Sequence, residues 1–271
     1  MTLWQAIILG LVQGLTEFLP VSSSAHLSLA PWLLGWTTPG LAFDVGLHLG
    51  SLVAVAWYFR TDWMALIRAA IGMLRTRRVT STVDRRVLLL MAATVPAGVG
   101  GLLLQDYAET VFRHPAITAT TLIVLGVILW AVDRAVSQSR SLDVLTARDA
   151  WLIGLAQVCA LVPGVSRSGA TMTAGRALGL DRASAARFSF LMSFPIICAA
   201  VTFKLPDVLR DGGSMTPMIV GILAAAVSSW LAITVLLRYV VNNSFGIFAV
   251  YRVLLGLAVF ALLAWRGQPV A

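Results

Sequence analysis

Glu17 sits inside an apolar run, and the residues around it belong to the short set that moves protons and attacks phosphorus. The segment reads Gln13-Gly14-Leu15-Thr16-Glu17-Phe18-Leu19-Pro20-Val21-Ser22-Ser23-Ser24-Ala25-His26. Gln13 and Glu17 are four apart and share one helix face. Ser23 and His26, three apart, share a face of the helix that follows the turn. A carboxylate, a hydroxyl and an imidazole around one turn suit activation of a nucleophile or of water. Glu17 with Gln13 also suits a hard divalent cation. Serine caps and a hydrogen-bonded core histidine are the bland alternative. An ionisable group in an apolar segment is costly, which tips the balance toward function.

A second constellation reads Pro163-Gly164-Val165-Ser166-Arg167-Ser168-Gly169-Ala170-Thr171. Here a turn supplies backbone N–H groups, several hydroxyls and one guanidinium at a helix start. A helix N-terminus among small residues attracts anions, and arginine grips phosphate oxygens in a two-pronged fork. The alternative for Arg167, reaching out to a lipid headgroup, fits its mid-segment position less well. One constellation thus supplies acid, base and hydroxyl, and the other an anion clamp. A phosphate ester or anhydride fits both.

The elements that must position these groups are membrane helices. Charged residues form 12% of the 271-residue chain and apolar residues 59%, with a mean hydropathy of +0.87. A water-soluble protein of this size could not hide so much apolar surface, so lipid must cover part of it. The net charge of +8 comes from basic residues scattered between apolar runs, nearly all arginine. No basic face forms, which excludes nucleic acid and favours anionic lipid. Cys159 and Cys198 lie in apolar segments without metal-ligand spacing, so no disulfide framework is expected. The apolar run from Leu3 carries Gln13 and Glu17 and follows no basic stretch; it is read as mature protein rather than a cleaved signal.

Six apolar stretches, about 41–59, 87–104, 116–132, 184–203, 217–240 and 246–265, approach the length needed to cross a bilayer. Two more, 3–35 and 147–180, are interrupted at Leu19–Ser24 and Pro163–Ser168. Proline, glycine and serine there end one helix and cap the next, predicting two re-entrant hairpins. The interrupted stretches are copies: sliding Ala6–Gly35 onto Ala150–Gly179 without gaps matches ten of thirty positions. Gln13/Gln157, Ser22/Ser166 and Ser24/Ser168 are among them, where apolar bias cannot inflate identity. Seven arginines between 60 and 86 place that segment in the cytoplasm. The hairpins then enter from opposite sides, as in an inverted repeat with a midplane site. The fold class expected is an all-α integral membrane protein with six transmembrane helices plus two re-entrant hairpins. It forms a single membrane domain over 1–271, with inverted halves of about 2–135 and 146–268 and both termini outside.

The strings QGLTEFLPVSSSAHL and PGVSRSGAT together closely resemble those of the undecaprenyl-diphosphatase family, known for bacitracin resistance. Both long motifs match at family spacing, and length and span layout agree across essentially the whole chain. The resemblance implies hydrolysis of undecaprenyl diphosphate to the monophosphate and inorganic phosphate, recycling a lipid carrier for cell-wall synthesis. It also implies the bacterial cytoplasmic membrane, a site opening to its outer face, and a divalent cation, Mg²⁺ or Ca²⁺. Glu17, Ser23, His26 and Arg167 then take the catalytic positions. Ser22, Ser166, Arg167, Ser168 and Thr171 take the phosphate-binding ones, and Glu17 with Gln13 the metal. Ser23 is expected to attack with His26 taking its proton; His26 or an activated water is the alternative nucleophile. The partners implied are a long-chain prenyl diphosphate and the bilayer, with a homodimer left open.

A lipid-phosphate transporter or flippase using the same site is the rival class, since inverted repeats with broken helices are its signature. A carrier has no need of a hydroxyl beside a carboxylate and an imidazole. Among other polar residues, Asp44 matches an acidic family position and is a candidate cation partner. His48 is expected to pack or hydrogen-bond, His114 to be solvated, and Ala65–Met73 to lie on the anionic leaflet. Arg252 is expected either in an ion pair or as a second phosphate contact.

Overall fold

The computed structural model describes residues 1–37, 39–109, 114–210 and 215–267. Residues 110–113 and 211–214 fall between expected spans, and the second half was expected to reach 268. Those positions lie outside the described residues.

The first interrupted stretch folds as α1 (Leu3–Phe18) and α2 (Ser23–Leu34). Thr2 and Gln5 form a capping box at the start of α1, satisfying orphan N–H groups reciprocally. Pro20 disfavours helical backbone at the residue before it and ends α1. Gly35, with φ 65°, closes α2 in the left-handed region. The second interrupted stretch becomes α7 (Ala147–Val158), a 3₁₀ turn over Cys159–Leu161, and α8 (Arg167–Ala177). Its capping box joins Thr146 and Asp149, and Gly179 takes φ 84° just past α8. The capping boxes at Thr2 and Thr146, and the closing glycines Gly35 and Gly179, are each 144 positions apart.

Between and after the hairpins run α3 (Leu41–Tyr58), α4 (Arg60–Thr76), α5 (Thr82–Glu109), α6 (Pro115–Ala135), α9 (Arg182–Arg210), α10 (Met215–Asn242) and α11 (Gly246–Trp265). Five helices are long and apolar enough to cross a membrane, in α5, α6, α9, α10 and α11; a sixth counts if α3 and α4, bent by 80°, form one span. No strand occurs among the described residues. The arginine-rich segment, expected as a loop, is largely the helix α4. Its arginines lie beside Leu66, which is buried, and Met64, Ile67 and Leu74, which are exposed. That composition suits a helix lying along a headgroup layer.

Small residues let the broken helices approach their neighbours closely. A Cβ on Gly10 of α1 would collide with the Gly221 carbonyl of α10, and one on Gly154 of α7 with the Ala93 carbonyl of α5. Gly256 of α11 does the same against the Ala119 carbonyl of α6. The main core gathers Phe18, Val55, Phe59, Phe190, Leu191 and Leu236 beneath the first hairpin, with Phe18 and Phe190 edge to face at 5.1 Å. Outside, Val53, Leu103, Val227 and Leu254 are each more than half exposed, a surface only lipid would cover.

Buried charge fastens the second hairpin. Asp133, near the end of α6, pairs with Arg176 Nε at 2.9 Å and Arg182 Nε at 2.8 Å. It also accepts the Phe245 N–H at 3.0 Å. Arg176, fully buried, spends its other N–H groups on the carbonyls of Asp133, Val136, Ser137 and Leu180. Deleting either member would strand a buried charge.

Candidate active site

Each hairpin turn is built on a serine. Ser22 and Ser166 are the N-caps of α2 and α8, accepting from the N–H of Ala25 and Gly169 at 3.4 and 3.1 Å. Their hydroxyls also bond to Ser24 and Ser168 at 3.1 and 3.2 Å. Ser168 in turn donates to the Leu19 carbonyl at 2.9 Å, pinning the second turn to the first.

Arg252 completes the join. It is fully buried and donates to Pro20 O on one turn and to Gly164 O and Val165 O on the other, at 3.3, 2.9 and 3.0 Å. It makes no ion pair among the described residues. A buried guanidinium with five donors can be satisfied by converging carbonyls, and the two turns supply them.

The facing turns bring Glu17 and Arg167 together across 150 residues, Nη2 to Oε1 at 3.0 Å. The other carboxylate oxygen accepts from Ser23 Oγ at 2.6 Å and from Gln13 Nε2 at 3.1 Å. Gln13 reaches Ser51 Oγ at 3.5 Å, itself bonded to Ser229 Oγ at 2.9 Å, so a polar chain runs from α1 through α3 to α10. His48 Nε2 stands 3.5 Å from the same Glu17 oxygen. Its Nδ1–H donates to the Asp44 carbonyl at 2.7 Å, which turns Nε2 toward the carboxylate. His48, expected to pack or to hydrogen-bond, also stands on the wall of the site. Its signal was an imidazole within an apolar span.

Glu17 and His48 line a cavity of about 270 Å³ with Ser23, Ser24, Gln157, Ser166 and Arg167 also on its walls. His26 stands apart from it. Its Nδ1–H donates to the Ser22 carbonyl at 2.7 Å, so Nε2 is the acceptor for the Tyr251 hydroxyl at 2.6 Å. The two rings stack at 5.6 Å. Sharing a helix face put Ser23 and His26 on one side of α2, but their polar atoms turn to different partners. The expected phosphate group also divides. Ser166 and Arg167 line the cavity, whereas Ser22 and Ser168 knit the turns, and Thr171 bonds Ser189 Oγ at 2.7 Å to join α8 to α9. His114 caps α6, its Nδ1 accepting the Ala116 N–H at 3.3 Å, rather than being merely solvated.

Several polar atoms facing this region have no partner within the protein. Gln157 is 3% exposed, yet both its amide N and O are unpaired, as are Gln13 Oε1 and Arg167 Nε. Unmet buried polar groups cost about 1–3 kcal/mol each, so a polar occupant is called for. Gln157 was visible in the sequence as the repeat partner of Gln13 but was not assigned to the site. The donor set also fits a hard cation: one carboxylate and the unpaired amide oxygen of Gln13, with phosphate oxygens to complete the shell. No group of three His, Cys, Asp or Glu gathers among the described residues, so such an ion would need the substrate to hold it.

Comparison with known proteins is consistent along the whole chain. The family described as bacitracin resistance protein BacA matches residues 6–258. An undecaprenyl-diphosphatase of Gemmatimonas aurantiaca is 64% identical over 266 residues, covering 98% of this chain and all of the relative. Those of Pelotomaculum thermopropionicum and Moorella thermoacetica are 48% and 46% identical, each over at least 97% of both chains.

Proposed function

Since the chain belongs to the bacitracin resistance protein BacA family, we infer that it hydrolyses undecaprenyl diphosphate to undecaprenyl phosphate and inorganic phosphate. The observation that carries this reading is the Ser23–Glu17–Arg167 contact inside a cavity between two helix starts. The N-termini of α2 and α8 converge there, and their dipoles and free N–H groups favour a diphosphate. Arg167 grips its oxygens and offsets the charge that builds on them during transfer.

Ser23 is the nucleophile in this scheme. Its proton passes to Glu17 Oε2, the oxygen already accepting its hydrogen bond at 2.6 Å. The serine oxygen bonds to the terminal phosphorus while the bridging P–O bond breaks and undecaprenyl phosphate departs. Water then cleaves the serine–phosphate bond: Glu17 returns the proton to Ser23 Oγ, and the water's protons leave with the inorganic phosphate, with His48 placed to relay one of them. His26 and Tyr251 shape the first turn rather than take the proton. A cation between Glu17, Gln13 and the diphosphate would supply further charge neutralisation.

The architecture proposed with this function has α3, α5, α6, α9, α10 and α11 as six spans. The pairs α1–α2 and α7–α8 are re-entrant hairpins of inverted halves, 2–135 and 146–268. The recurring caps and glycine contacts, 144 positions apart, support it. The arginines of α4 mark the cytoplasmic side of the bacterial inner membrane, and the cavity opens outward. A carrier needs the anion clamp but not Ser23 bonded to a carboxylate, which favours hydrolysis over transport. The test is phosphate release by the purified protein given undecaprenyl diphosphate, with and without EDTA. Release without cation would remove the metal; no release under any condition would sink the enzyme reading.

A further inference from the structure

An apolar groove of about 490 Å³ lies between α4, α5 and α9. We propose that it holds the prenyl chain of the diphosphate, an assignment that rests on the diphosphatase reading. Its walls include Trp63 and Leu66 of α4, Leu90, Val95 and Gly98 of α5, and Pro195 of α9. The one hydroxyl on them, Thr94, turns back to the Leu90 carbonyl at 2.7 Å, so the wall offers a chain little to desolvate.

The groove adjoins the diphosphate cavity on two helices at once. On α5, Val95 and Gly98 face the groove and Ala97 the cavity; on α9, Pro195 faces the groove and Ile196 and Ile197 the cavity. Each helix also carries a proline at this junction, Pro96 and Pro195, and so lacks one internal hydrogen bond there. Ile67 and Met91, 57% and 61% exposed on the groove wall, leave it open sideways, so a long chain can continue into the bilayer.

Gly98 provides the test. A Cβ there meets nothing within 4 Å, so a large side chain enters the groove without displacing backbone. Gly101, one turn on, is equally unobstructed and lies outside the groove wall, which makes Gly101→Phe the control. Turnover would be measured on undecaprenyl diphosphate and on a water-soluble short-chain prenyl diphosphate. Gly98→Phe should lower the long-chain to short-chain ratio of kcat/KM by about fivefold or more, mainly through KM. Gly101→Phe should leave that ratio unchanged. In parallel, a long-chain prenyl diphosphate with a photoreactive group in its chain should label α4 and α5 residues of the groove in the wild type. An unchanged ratio in Gly98→Phe, equal effects of the two variants, or labelling spread evenly over the lipid-facing surface would overturn the assignment, leaving ordinary acyl chains as occupants. Absence of turnover in the wild type would instead strike the diphosphatase reading, and the labelling would still decide the groove.

Discussion

Ser22 and Ser166, 144 positions apart, hold the same uncommon backbone: φ 76°, ψ 95° and φ 71°, ψ 115°. A side chain in this region is strained, and such strain persists only where the surroundings impose it. Both serines cap a helix that points into the same cavity, so the strain aims two helix N-termini at one place.

The two demands on Ser22 and Ser166 can be separated by substitution. Glycine removes the strain and loses only a few tenths of a kcal/mol of cap. Alanine keeps the strain and loses the cap, for about 1 kcal/mol. Thermal unfolding in detergent should rank glycine close to the wild type and alanine clearly below it at both positions. The reverse order would mean that the hydroxyls matter more through Ser24 and Ser168 than through the backbone.

Ser23 and His26 should part company in kinetics. Ser23→Ala removes the group bonded to Glu17, and turnover should fall by about 10²–10⁴-fold with substrate binding largely kept. His26→Ala and Tyr251→Phe disturb a contact away from the cavity and should have similar, milder effects. A collapse of turnover in His26→Ala alone, with Ser23→Ala near normal, would return His26 to the role of nucleophile.

Arg167→Lys keeps the charge but loses the fork that spans Glu17 and a phosphate. The loss should be about 2–5 kcal/mol, roughly 30-fold or more in kcat/KM. Arg252→Lys should act differently, because its carbonyl partners belong to both turns. Melting temperature and turnover should drop together for Arg252→Lys, whereas Arg167→Lys should melt near the wild type. Identical melting losses would contradict the division between gripping substrate and joining turns.

Gln157 predicts an exchange of stability against activity. Its unpaired amide burdens the empty protein, so Gln157→Leu should leave the melting temperature unchanged or raise it. The same change should raise KM several-fold, because a leucine has nothing to offer a diphosphate. A destabilised variant with normal KM would show that the amide is satisfied within the folded protein.

Gln13→Glu adds a second charged oxygen beside Glu17. If a cation bridges this face and the diphosphate, activity should persist and saturate at lower Mg²⁺. Without a cation, two carboxylates so close would repel and turnover would fall at every Mg²⁺ concentration. A magnesium titration of both forms distinguishes the outcomes.

Helix positions, both breaks and the candidacy of Glu17 and Arg167 for a site were legible in the sequence because each is a local property. Apolar length sets a span, Pro20 and the serines around it set a break, and an ionisable Glu17 in an apolar run advertises its own cost. Even the pairing of the two turns could be read, since Gln13/Gln157 and Ser22/Ser166 repeat at one offset. Which atoms meet could not. Helical spacing puts Ser23 and His26 on one face but cannot say that a carboxylate from α1 takes the hydroxyl while Tyr251, 225 residues away, takes the imidazole. Likewise nothing local to Arg252 reveals that backbone carbonyls of two distant turns would satisfy it. Nor could sequence show that His48 would close on Glu17. Those outcomes depend on how whole helices cross, which is set by long-range packing such as the glycine contacts of α1 with α10 and of α7 with α5. Hydrogen-bond partners are chosen only after that packing has brought them within about 3 Å.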